Sequence, residues 1–301
     1  MKLSIIGAGN VGSSCAAIVT QMNSIDEIVL LDVKPGFAEA KAQDISELGV
    51  LLGSKTVVTG VTDKYECTKD SDVVVITSGI PRKDGMSRDD LLKTNAKIVK
   101  TVVKSVMKHS DPIIIVASNP VNSMTFIAQK FSKLGAFKVF GLAGLLDGTR
   151  FRREVANQLN CLVTEVEGTV IGEHGDTMVP ILYPPKTMKE DVRSLTTAKT
   201  RSTGADLTRA LGTSAYFGPG AALARMIQSI VKDENKVYSV CTYLEGEFGL
   251  SDVCLSVPCE LGRDGINRIV EIKLSHEELR LLRKSSEKVS IQMKDALELL
   301  R

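Results

Sequence analysis

The length, composition and charge of the chain set broad limits on its class. Its 301 residues, 43% of them hydrophobic, suffice for two compact domains, and a formal net charge of +2 without long blocks of one sign disfavours a nucleic-acid or membrane surface. Six scattered cysteines favour reduced thiols over a disulfide framework or a metal site, and no apolar run could cross a bilayer, so we expect a soluble cytoplasmic protein.

Strand-like and helix-like segments alternate through the first half of the chain. Short β-branched runs predict strands at 2–6, 27–32, 56–60, 72–79, 112–118 and 138–141. Helical patterns lie between most of them, at 11–22, 36–48 and 87–109. Because the strands are apolar on both faces, this alternation indicates an α/β fold with a doubly wound parallel sheet. The first strand passes directly into a glycine turn, which is not the pattern of a signal peptide.

The pattern changes near residue 145. A helix is predicted at 146–160, a strand at 166–172, helical stretches at 187–232 and hairpin-like strands at 238–249 and 253–272. Ser275 and Glu278 form a capping-box pattern ahead of a last helix. The second half therefore predicts an α+β domain with antiparallel strands, and we divide the chain into domains 1–144 and 145–301.

A glycine-rich turn follows the first strand in the sequence SIIGAGNVG. Gly7, Gly9 and Gly12 have the G-x-G-x-x-G spacing, which allows a tight turn, close approach of a pyrophosphate and helix–sheet packing. Such turns are common, so the motif alone is weak, but Asp32 ends the second strand at the expected distance. A carboxylate there binds ribose hydroxyls and repels a 2′-phosphate, which predicts NAD rather than NADP, although Lys34 could weaken that preference.

One of the three histidines lies in a setting suited to proton transfer. His109 and His276 are interpreted as surface residues near helix ends, whereas His174 follows a predicted buried strand in GTVIGEHGDTMVP. A lone histidine is usually structural or exposed, but an imidazole is the natural proton carrier between an alcohol and a carbonyl. Asp147 and Arg150 share one helix face, either as an ordinary ion pair or as the orienting acid and the electrophilic partner of such a histidine.

Further polar residues follow the fourth and fifth predicted strands. Arg82 and Arg88 lie in the loop after the fourth strand, and Asn119 ends the fifth strand before a proline. These residues could simply be solvated surface groups. However, an open α/β sheet binds its ligand at the carboxyl ends of its strands, so they are candidates for a substrate site.

Six motifs together resemble one known family. They are GAGNVG, LLDV, GIPRKDGMSRDDLLKTNAKIV, SNPVN, LDGTRFR and IGEHGDTMVP, in family order over essentially the whole chain. The chain resembles the lactate/malate dehydrogenase family, and looks most like its malate dehydrogenases of the lactate-dehydrogenase-like type. Gly148, Thr149 and Ser118 differ from the usual family residues, but none of these differences removes a charge. The resemblance implies an N-terminal Rossmann domain that binds NAD, followed by a catalytic domain.

The resemblance also implies a role for each matching residue. His174 would be the acid–base group, Asp147 would orient it, and Arg150 would bind the substrate carboxylate. Arg88, on a mobile loop, would polarise the carbonyl, while Asn119 and Ser214 would also contact substrate. The residues implied to border the cofactor are Gly7, Ala8, Gly9, Asn10, Val11, Gly12, Asp32, Thr77, Gly79, Asn95, Ala117, Ser118 and Asn119.

Arg82 is the residue that the resemblance links to the choice of substrate. A cation there would pair with the second carboxylate of oxaloacetate, which predicts an NAD-dependent malate dehydrogenase. An L-lactate dehydrogenase or another 2-hydroxy-acid dehydrogenase is the alternative. A catalytically silent NAD-binding sensor is another, but it has no use for His174 and its partners. The resemblance implies a homodimer or homotetramer, with 11–22, 36–48 or 215–232 as candidate contact segments.

Overall fold

The computed structural model describes residues 1–81, 87–184 and 187–300. These residues form eleven strands, which are β1 (Lys2–Ile6), β2 (Glu27–Asp32), β3 (Val57–Thr62), β4 (Val73–Ile76), β5 (Ile113–Val116), β6 (Val139–Gly141), β7 (Gly168–Ile171), β8 (Val179–Leu182), β9 (Lys236–Glu245), β10 (Ser251–Gly262) and β11 (Gly265–Ile269). They also form eight α-helices, which are α1 (Asn10–Gln21), α2 (Phe37–Leu51), α3 (Arg88–Val106), α4 (Val121–Ser132), α5 (Gly144–Leu159), α6 (Glu190–Leu211), α7 (Phe217–Val231) and α8 (His276–Glu298).

Nine of the described strands form one sheet in the order β11-β10-β9-β6-β5-β4-β1-β2-β3. Strands β1 to β6 pair in parallel, and their spatial order is the doubly wound order 3-2-1-4-5-6. Strands β9, β10 and β11 pair antiparallel, and β9 joins the parallel part where Gly141 pairs with Cys241. The predicted α/β class, with a parallel first half and antiparallel strands in the second, is confirmed. The sequence pattern does not indicate that both halves share one sheet.

The central strands are buried on both faces, which explains their β-branched sequences. Strands β4 (VVVI) and β5 (IIIV) consist entirely of buried residues. The neighbouring β1 residues Ile5 and Ile6 belong to two separate hydrophobic clusters, one shared with α1, α2 and α7 and the other with α3 and α4. The sheet therefore lies between two helical layers, which fix the carboxyl ends of its strands.

Helix α5 and the β7–β8 hairpin build the second half of the site. Strands β7 and β8 pair antiparallel as a separate two-stranded sheet, and α5 packs against β7. Gly172, just after β7, exchanges two backbone hydrogen bonds of 2.8 and 2.9 Å with Ser256 of β10. The end of β7 is therefore anchored on the large sheet immediately before residue 174.

Helix caps and two unpredicted elements complete the fold. The predicted capping box is present, because the Ser275 hydroxyl accepts from the Glu278 N–H at 3.2 Å and the Glu278 carboxylate accepts from the Ser275 N–H at 2.8 Å. A second capping box joins Ser87 to Asp90 at the start of α3. Helix α4 and strand β8 lie outside the sequence prediction, since α4 begins in the turn-like SNPVN and β8 contains Pro180.

Neither a membrane-spanning helix nor a disulfide contributes to the described residues. No helix among them is both long and apolar enough to cross a membrane. All six cysteines are free thiols, and four of them are buried. Burial raises the pKa of Cys15 to about 12, so this thiol stays protonated at neutral pH.

Candidate active site

The glycine-rich turn between β1 and α1 leaves the N-terminus of the helix open. Gly7 has a φ of +107°, and a Cβ there would lie 2.8 Å from a backbone nitrogen of the loop after β4, so the turn requires glycine. A Cβ at Gly12 would overlap the carbonyl oxygen of Gly7, whereas one at Gly9 would meet nothing within 4 Å. Gly9 is the N-cap of α1 and no side chain caps this helix. The N–H groups of Asn10 and Val11 are therefore available to an anion.

Asp32 closes the other side of this turn at the end of β2. Its Oδ2 accepts a 2.9 Å hydrogen bond from the Ala8 N–H, and its Oδ1 accepts a 3.0 Å bond from the Lys34 N–H. The Lys34 Nζ lies 4.8 Å from the ring centroid of Phe37, so this ammonium is already engaged with an aromatic face. A 2′-phosphate would face the Asp32 carboxylate and would have to draw Lys34 off that ring, so the geometry favours NAD over NADP.

A cavity of about 470 Å³ extends from the glycine turn along the carboxyl ends of β1, β2 and β4. Its walls include Gly9, Asp32 and Gly79, together with apolar residues of α3. Ser78 belongs to this wall, and its Oγ is buried without a hydrogen-bond partner among the described residues. An open helix N-terminus, a fixed carboxylate and an unpaired hydroxyl meet at the switch point between β1 and β4. The residues present therefore fit NAD.

Asn95 of α3 braces the two loops that border this cavity. Its side chain is 1% exposed, its Oδ1 accepts the Ile80 N–H at 2.9 Å, and its Nδ2 donates to the Asn119 carbonyl oxygen at 2.7 Å. A Cβ at Gly79 would lie only 3.2 Å from the Asn95 Oδ1. Asn95 thus fixes the ends of β4 and β5 relative to each other.

Thr77 and Ser118 hold the same strand ends against the glycine turn. The Thr77 Oγ1 donates to the Gly7 carbonyl oxygen at 2.7 Å, and the Ser118 Oγ donates to the Ser78 carbonyl oxygen at 2.5 Å. The Ala117 N–H continues the β4–β5 pairing with a 2.8 Å bond to β4. The structure therefore gives these predicted cofactor residues contacts that order the walls of the cavity.

His174 and Asp147 meet between the end of β7 and helix α5. The Nδ1 of His174 lies 2.6 Å from the Oδ2 of Asp147, whose side chain is 1% exposed against 21% for the ring. Because a carboxylate only accepts, Nδ1 carries the proton of this hydrogen bond. No described residue makes a hydrogen bond to Nε2. The imidazole is thus oriented through one nitrogen and available through the other.

Opposing influences set the pKa of His174. Burial of the ring is the largest influence and lowers the pKa, whereas the charge of Asp147 and its hydrogen bond raise it. Arg150 lowers the pKa and Glu173 raises it, and the balance lies above the ordinary value of 6.5. His174 therefore keeps its proton to a higher pH than a free imidazole does.

Arg150 lies one turn along α5 from Asp147, as the spacing predicts. Its Nη1 is 3.4 Å from the Asp147 Oδ1, and its side chain is mostly buried. Helix α6 passes over the guanidinium, since a Cβ at Gly204 would lie 3.4 Å from the Arg150 Nη1. The missing side chain at Gly204 leaves room for a planar guanidinium, which can bind a carboxylate through two parallel hydrogen bonds.

Asn122 fixes the backbone of His174, a role that residue spacing alone does not predict. Its Oδ1 accepts the His174 N–H at 3.0 Å, and its Nδ2 donates to the Cys254 carbonyl oxygen at 2.9 Å. This buried side chain therefore ties α4, β10 and the histidine together. Its place in SNPVN, next to the predicted ligand-binding strand end, is the sequence signal that points to it.

The remaining predicted substrate residues lie in three different segments. Arg82 is outside the described residues, and Arg88 is the first residue of α3, with its side chain outside them. Asn119 is exposed at the carboxyl end of β5, and Ser214 is exposed in the connection between α6 and α7. The described contacts thus join the histidine, the aspartate and one arginine, and they do not extend to Ser214.

Known proteins of one family match the chain from end to end. Residues 1–141 match the model of the lactate/malate dehydrogenase NAD binding domain, and residues 145–300 match that of the lactate/malate dehydrogenase alpha/beta C-terminal domain. A malate dehydrogenase of Cytophaga hutchinsonii is 44% identical, with 96% of each chain covered. The solved malate dehydrogenase of Salinibacter ruber has a TM-score of 0.92 at 36% identity, covering 99% of this chain and 98% of that one. A lactate dehydrogenase of Cryptosporidium parvum, solved with lactic acid and β-nicotinamide adenine dinucleotide, has a TM-score of 0.93 at 32% identity, covering 98% and 97%.

Proposed function

The chain belongs to the lactate/malate dehydrogenase family, and we propose from this premise that it interconverts malate and oxaloacetate with NAD(H), using His174 as its acid–base group. The activity follows from full-length similarity to malate dehydrogenases. The role of His174 rests on the 2.6 Å contact of its Nδ1 with the buried Asp147, beside Arg150. A silent NAD-binding sensor would have no use for this arrangement, which argues against that alternative.

Each residue of the described group has a definite task in this proposal. NAD(H), when bound, supplies or accepts the hydride. Arg150 binds the C1 carboxylate of the substrate, so that the reacting oxygen lies at the Nε2 of His174. In reduction, protonated His174 donates its Nε2 proton to the carbonyl oxygen. In oxidation, neutral His174 accepts the hydroxyl proton, and Asp147 stabilises the resulting imidazolium.

Other residues are proposed to complete the site. Arg88 polarises the substrate carbonyl as negative charge develops on its oxygen, and Asn119 donates a hydrogen bond to the same oxygen. Ser214 lines the substrate pocket. The first turn of α1 binds the pyrophosphate and Asp32 binds the adenosine ribose, with support from the open helix N-terminus and the fixed carboxylate.

We propose that the chain has two domains, in which 1–144 binds the cofactor and 145–301 carries the catalytic residues. The residues that wall the cofactor cavity all belong to the first segment, whereas Asp147, Arg150 and His174 belong to the second. The bounds of the two family matches, which meet between residues 141 and 145, also support this division.

Oxaloacetate is expected to be preferred over pyruvate by about 1000-fold in kcat/KM. Arg82, outside the described residues, is proposed to pair with the second carboxylate, and the methyl group of pyruvate would leave that cation desolvated and unpaired. Steady-state NADH oxidation with oxaloacetate, pyruvate and a longer 2-oxo acid measures the preference. A parallel series with NADPH in place of NADH tests whether the Asp32 carboxylate disfavours a cofactor that carries a 2′-phosphate.

A substitution at the same position sharpens this experiment. Arg82→Gln should lower the ratio of kcat/KM for oxaloacetate to kcat/KM for pyruvate. Lys83→Gln, which removes the adjacent positive charge, should leave this ratio unchanged. Equal kcat/KM values for oxaloacetate and pyruvate in the wild type would contradict the malate assignment and favour lactate dehydrogenase. This comparison is needed because solved structures of both activities match the fold equally well, with TM-scores of 0.92 and 0.93.

We propose that the chain forms a homodimer or homotetramer. Val50 and Leu51, at the end of α2, are 79% and 84% exposed, and Phe217 at the start of α7 is 72% exposed, which favours burial against a second copy. Light scattering after size exclusion should give a mass that is a multiple of 32.5 kDa. Val50→Ser with Leu51→Ser should lower that mass, whereas Ile291→Ser on exposed α8 surface should not. A wild type of single-chain mass would refute the proposal.

We also propose that the chain acts in the cytoplasm. Its six free thiols support this, since such cysteines persist in a reducing compartment. Fractionation of disrupted cells tests this location. Recovery of the protein with membranes, or from an oxidising compartment, would contradict a cytoplasmic location.

A further inference from the structure

Glu173 directly precedes His174, but its carboxylate is bound by helix α8 rather than by α5. Both carboxylate oxygens lie 3.0 Å from the Nζ of Lys288. The Oε2 also accepts the Thr177 N–H at 3.0 Å and the Thr177 hydroxyl at 2.5 Å. The residue is 6% exposed. A buried acid next to the histidine is therefore paired with a lysine from the last helix of the chain.

Helix α8 also holds the backbone of the same segment. The Glu173 N–H donates to the Ser285 Oγ at 2.7 Å. A Cβ at Gly172 would lie 2.8 Å from that same Oγ, and one at Gly175 would lie 2.9 Å from the Cδ of Glu173. The glycines on either side of the Glu-His pair thus provide the space in which α8 and the folded-back carboxylate fit. This accounts for the sequence G-E-H-G.

We propose that Glu173 and Lys288 form a positioning unit for His174, through which the last helix holds the strand end that presents the imidazole to the substrate. The inference rests on the proposed role of His174 in catalysis. Three elements then hold the histidine: Asp147 of α5 binds its ring, Asn122 of α4 binds its N–H, and α8 binds the residue before it. Loosening the third contact allows segment 172–175 to shift, which moves Nε2 away from the substrate oxygen while the ring keeps its hydrogen bond to Asp147.

The same unit contributes to the electrostatic field at the imidazole. Among the described residues, the charged groups around His174 and Glu173 are Asp147 and Arg150 of α5, Lys288 of α8, Asp176 of the loop after β7, and Asp89 and Asp295 at the adjacent cavity. Burial raises the pKa of Glu173, but the hydrogen bonds from Thr177 and Lys288 outweigh it and hold this pKa below its ordinary value. Glu173 is therefore ionised at neutral pH, and Lys288 offsets its charge.

Removing each partner alone should shift the pKa of His174 in opposite directions. Glu173→Gln deletes a negative charge and should lower this pKa by about half a unit, while Lys288→Gln leaves that charge less compensated and should raise it by about as much. The double variant should return the pKa close to the wild-type value. A residue that only stabilises the fold would not produce shifts of opposite sign.

Histidine side-chain NMR titration of the free protein measures these shifts directly. The chain has three histidines, and the signal of His174 is the one missing from His174→Asn. Turnover provides a second measurement, since each single variant should lower kcat by about tenfold while its NADH affinity stays within about twofold. Lys288→Arg keeps the cation and should recover most of the turnover. Lys284→Gln, exposed on the same helix, should change neither quantity.

Opposite pKa shifts that cancel in the double variant, together with the loss of turnover in each single variant, support the positioning unit. Shifts in one direction, no shifts, or unchanged turnover in the single variants overturn it. If Glu173→Gln does not fold, Lys288→Gln and Lys288→Arg decide alone. The pKa of His174 must rise in Lys288→Gln and return to the wild-type value in Lys288→Arg. A wild type that does not turn over oxaloacetate would refute the proposed function, yet the NMR titration would still test the contact between Glu173, Lys288 and the imidazole.

Discussion

Replacing His174 with asparagine is expected to lower kcat/KM for oxaloacetate by about 10⁴-fold. Asparagine keeps a side-chain N–H toward Asp147, so the buried carboxylate stays paired, but it has no titrating nitrogen in place of Nε2. The backbone N–H that donates to Asn122 is also unchanged. The loss should therefore reflect proton transfer rather than unfolding. Steady-state NADH absorbance with oxaloacetate in excess measures it.

His276 provides the matched control for this substitution. It lies exposed in the first turn of α8, and His276→Asn should keep turnover within about twofold of the wild type. Cofactor fluorescence should show unchanged NADH binding in both variants, since neither residue lines the cofactor cavity. If His174→Asn binds NADH normally and keeps more than about a tenth of wild-type turnover, another group must carry the proton.

The parallel half of the fold could be predicted closely because its signals are local. Strands β1 and β2 occupy the predicted residues 2–6 and 27–32. Short, continuous apolar runs of this kind are typical of parallel strands that are buried on both faces. Strand β4 is shorter than the predicted 72–79, because Thr77 and its neighbours leave the sheet to wall the cofactor cavity. Its sequence is apolar enough to continue as a strand, so only the site explains where it ends.

The elements that the sequence did not predict depend on contacts between distant residues. Strand β8 contains Pro180, which local rules assign to edges or loops, and its pairing with β7 alone makes it a strand. The parallel and antiparallel parts of the sheet join where Gly141 pairs with Cys241. Neither periodicity nor propensity carries information about such pairings.

The residues of the candidate site also fall into those that local sequence signals predict and those that depend on contacts between distant residues. His174, Asp147 and Arg150 could be singled out because their chemistry and local spacing are visible in short motifs. The SNPVN motif draws attention to Asn122, but the contacts of Asn122 and Lys288 could not be predicted, since they span 52 and 115 residues of sequence. Their polar side chains are ordinary until the fold places them against the segment that carries the histidine.

Replacing Asp147 with asparagine is expected to lower kcat/KM by about 10³-fold and to move the pH dependence of the reaction. Burial lowers the pKa of His174, and the Asp147 carboxylate is the larger of the two groups that raise it, so the substitution should let burial dominate. In the wild type, reduction should decline as pH rises through the elevated pKa, while malate oxidation should increase through the same pKa. In Asp147→Asn both transitions should lie at lower pH, which rate profiles in the two directions measure.

Thermodynamics adds a strict condition to this prediction. A substitution cannot change the equilibrium constant between malate and oxaloacetate. At any one pH, kcat/KM for reduction and kcat/KM for oxidation must therefore fall by the same factor if the affinities for NADH and NAD are unchanged. Asp206→Asn is the matched control, because it removes an exposed i,i+3 ion pair of 3.1 Å with Arg209 and should alter neither profile. An Asp147→Asn enzyme that is slow but keeps the wild-type transitions would show that the buried carboxylate supports the fold without setting the protonation of His174. The position of the transitions, more than the size of the loss, therefore distinguishes an orienting acid from a structural charge.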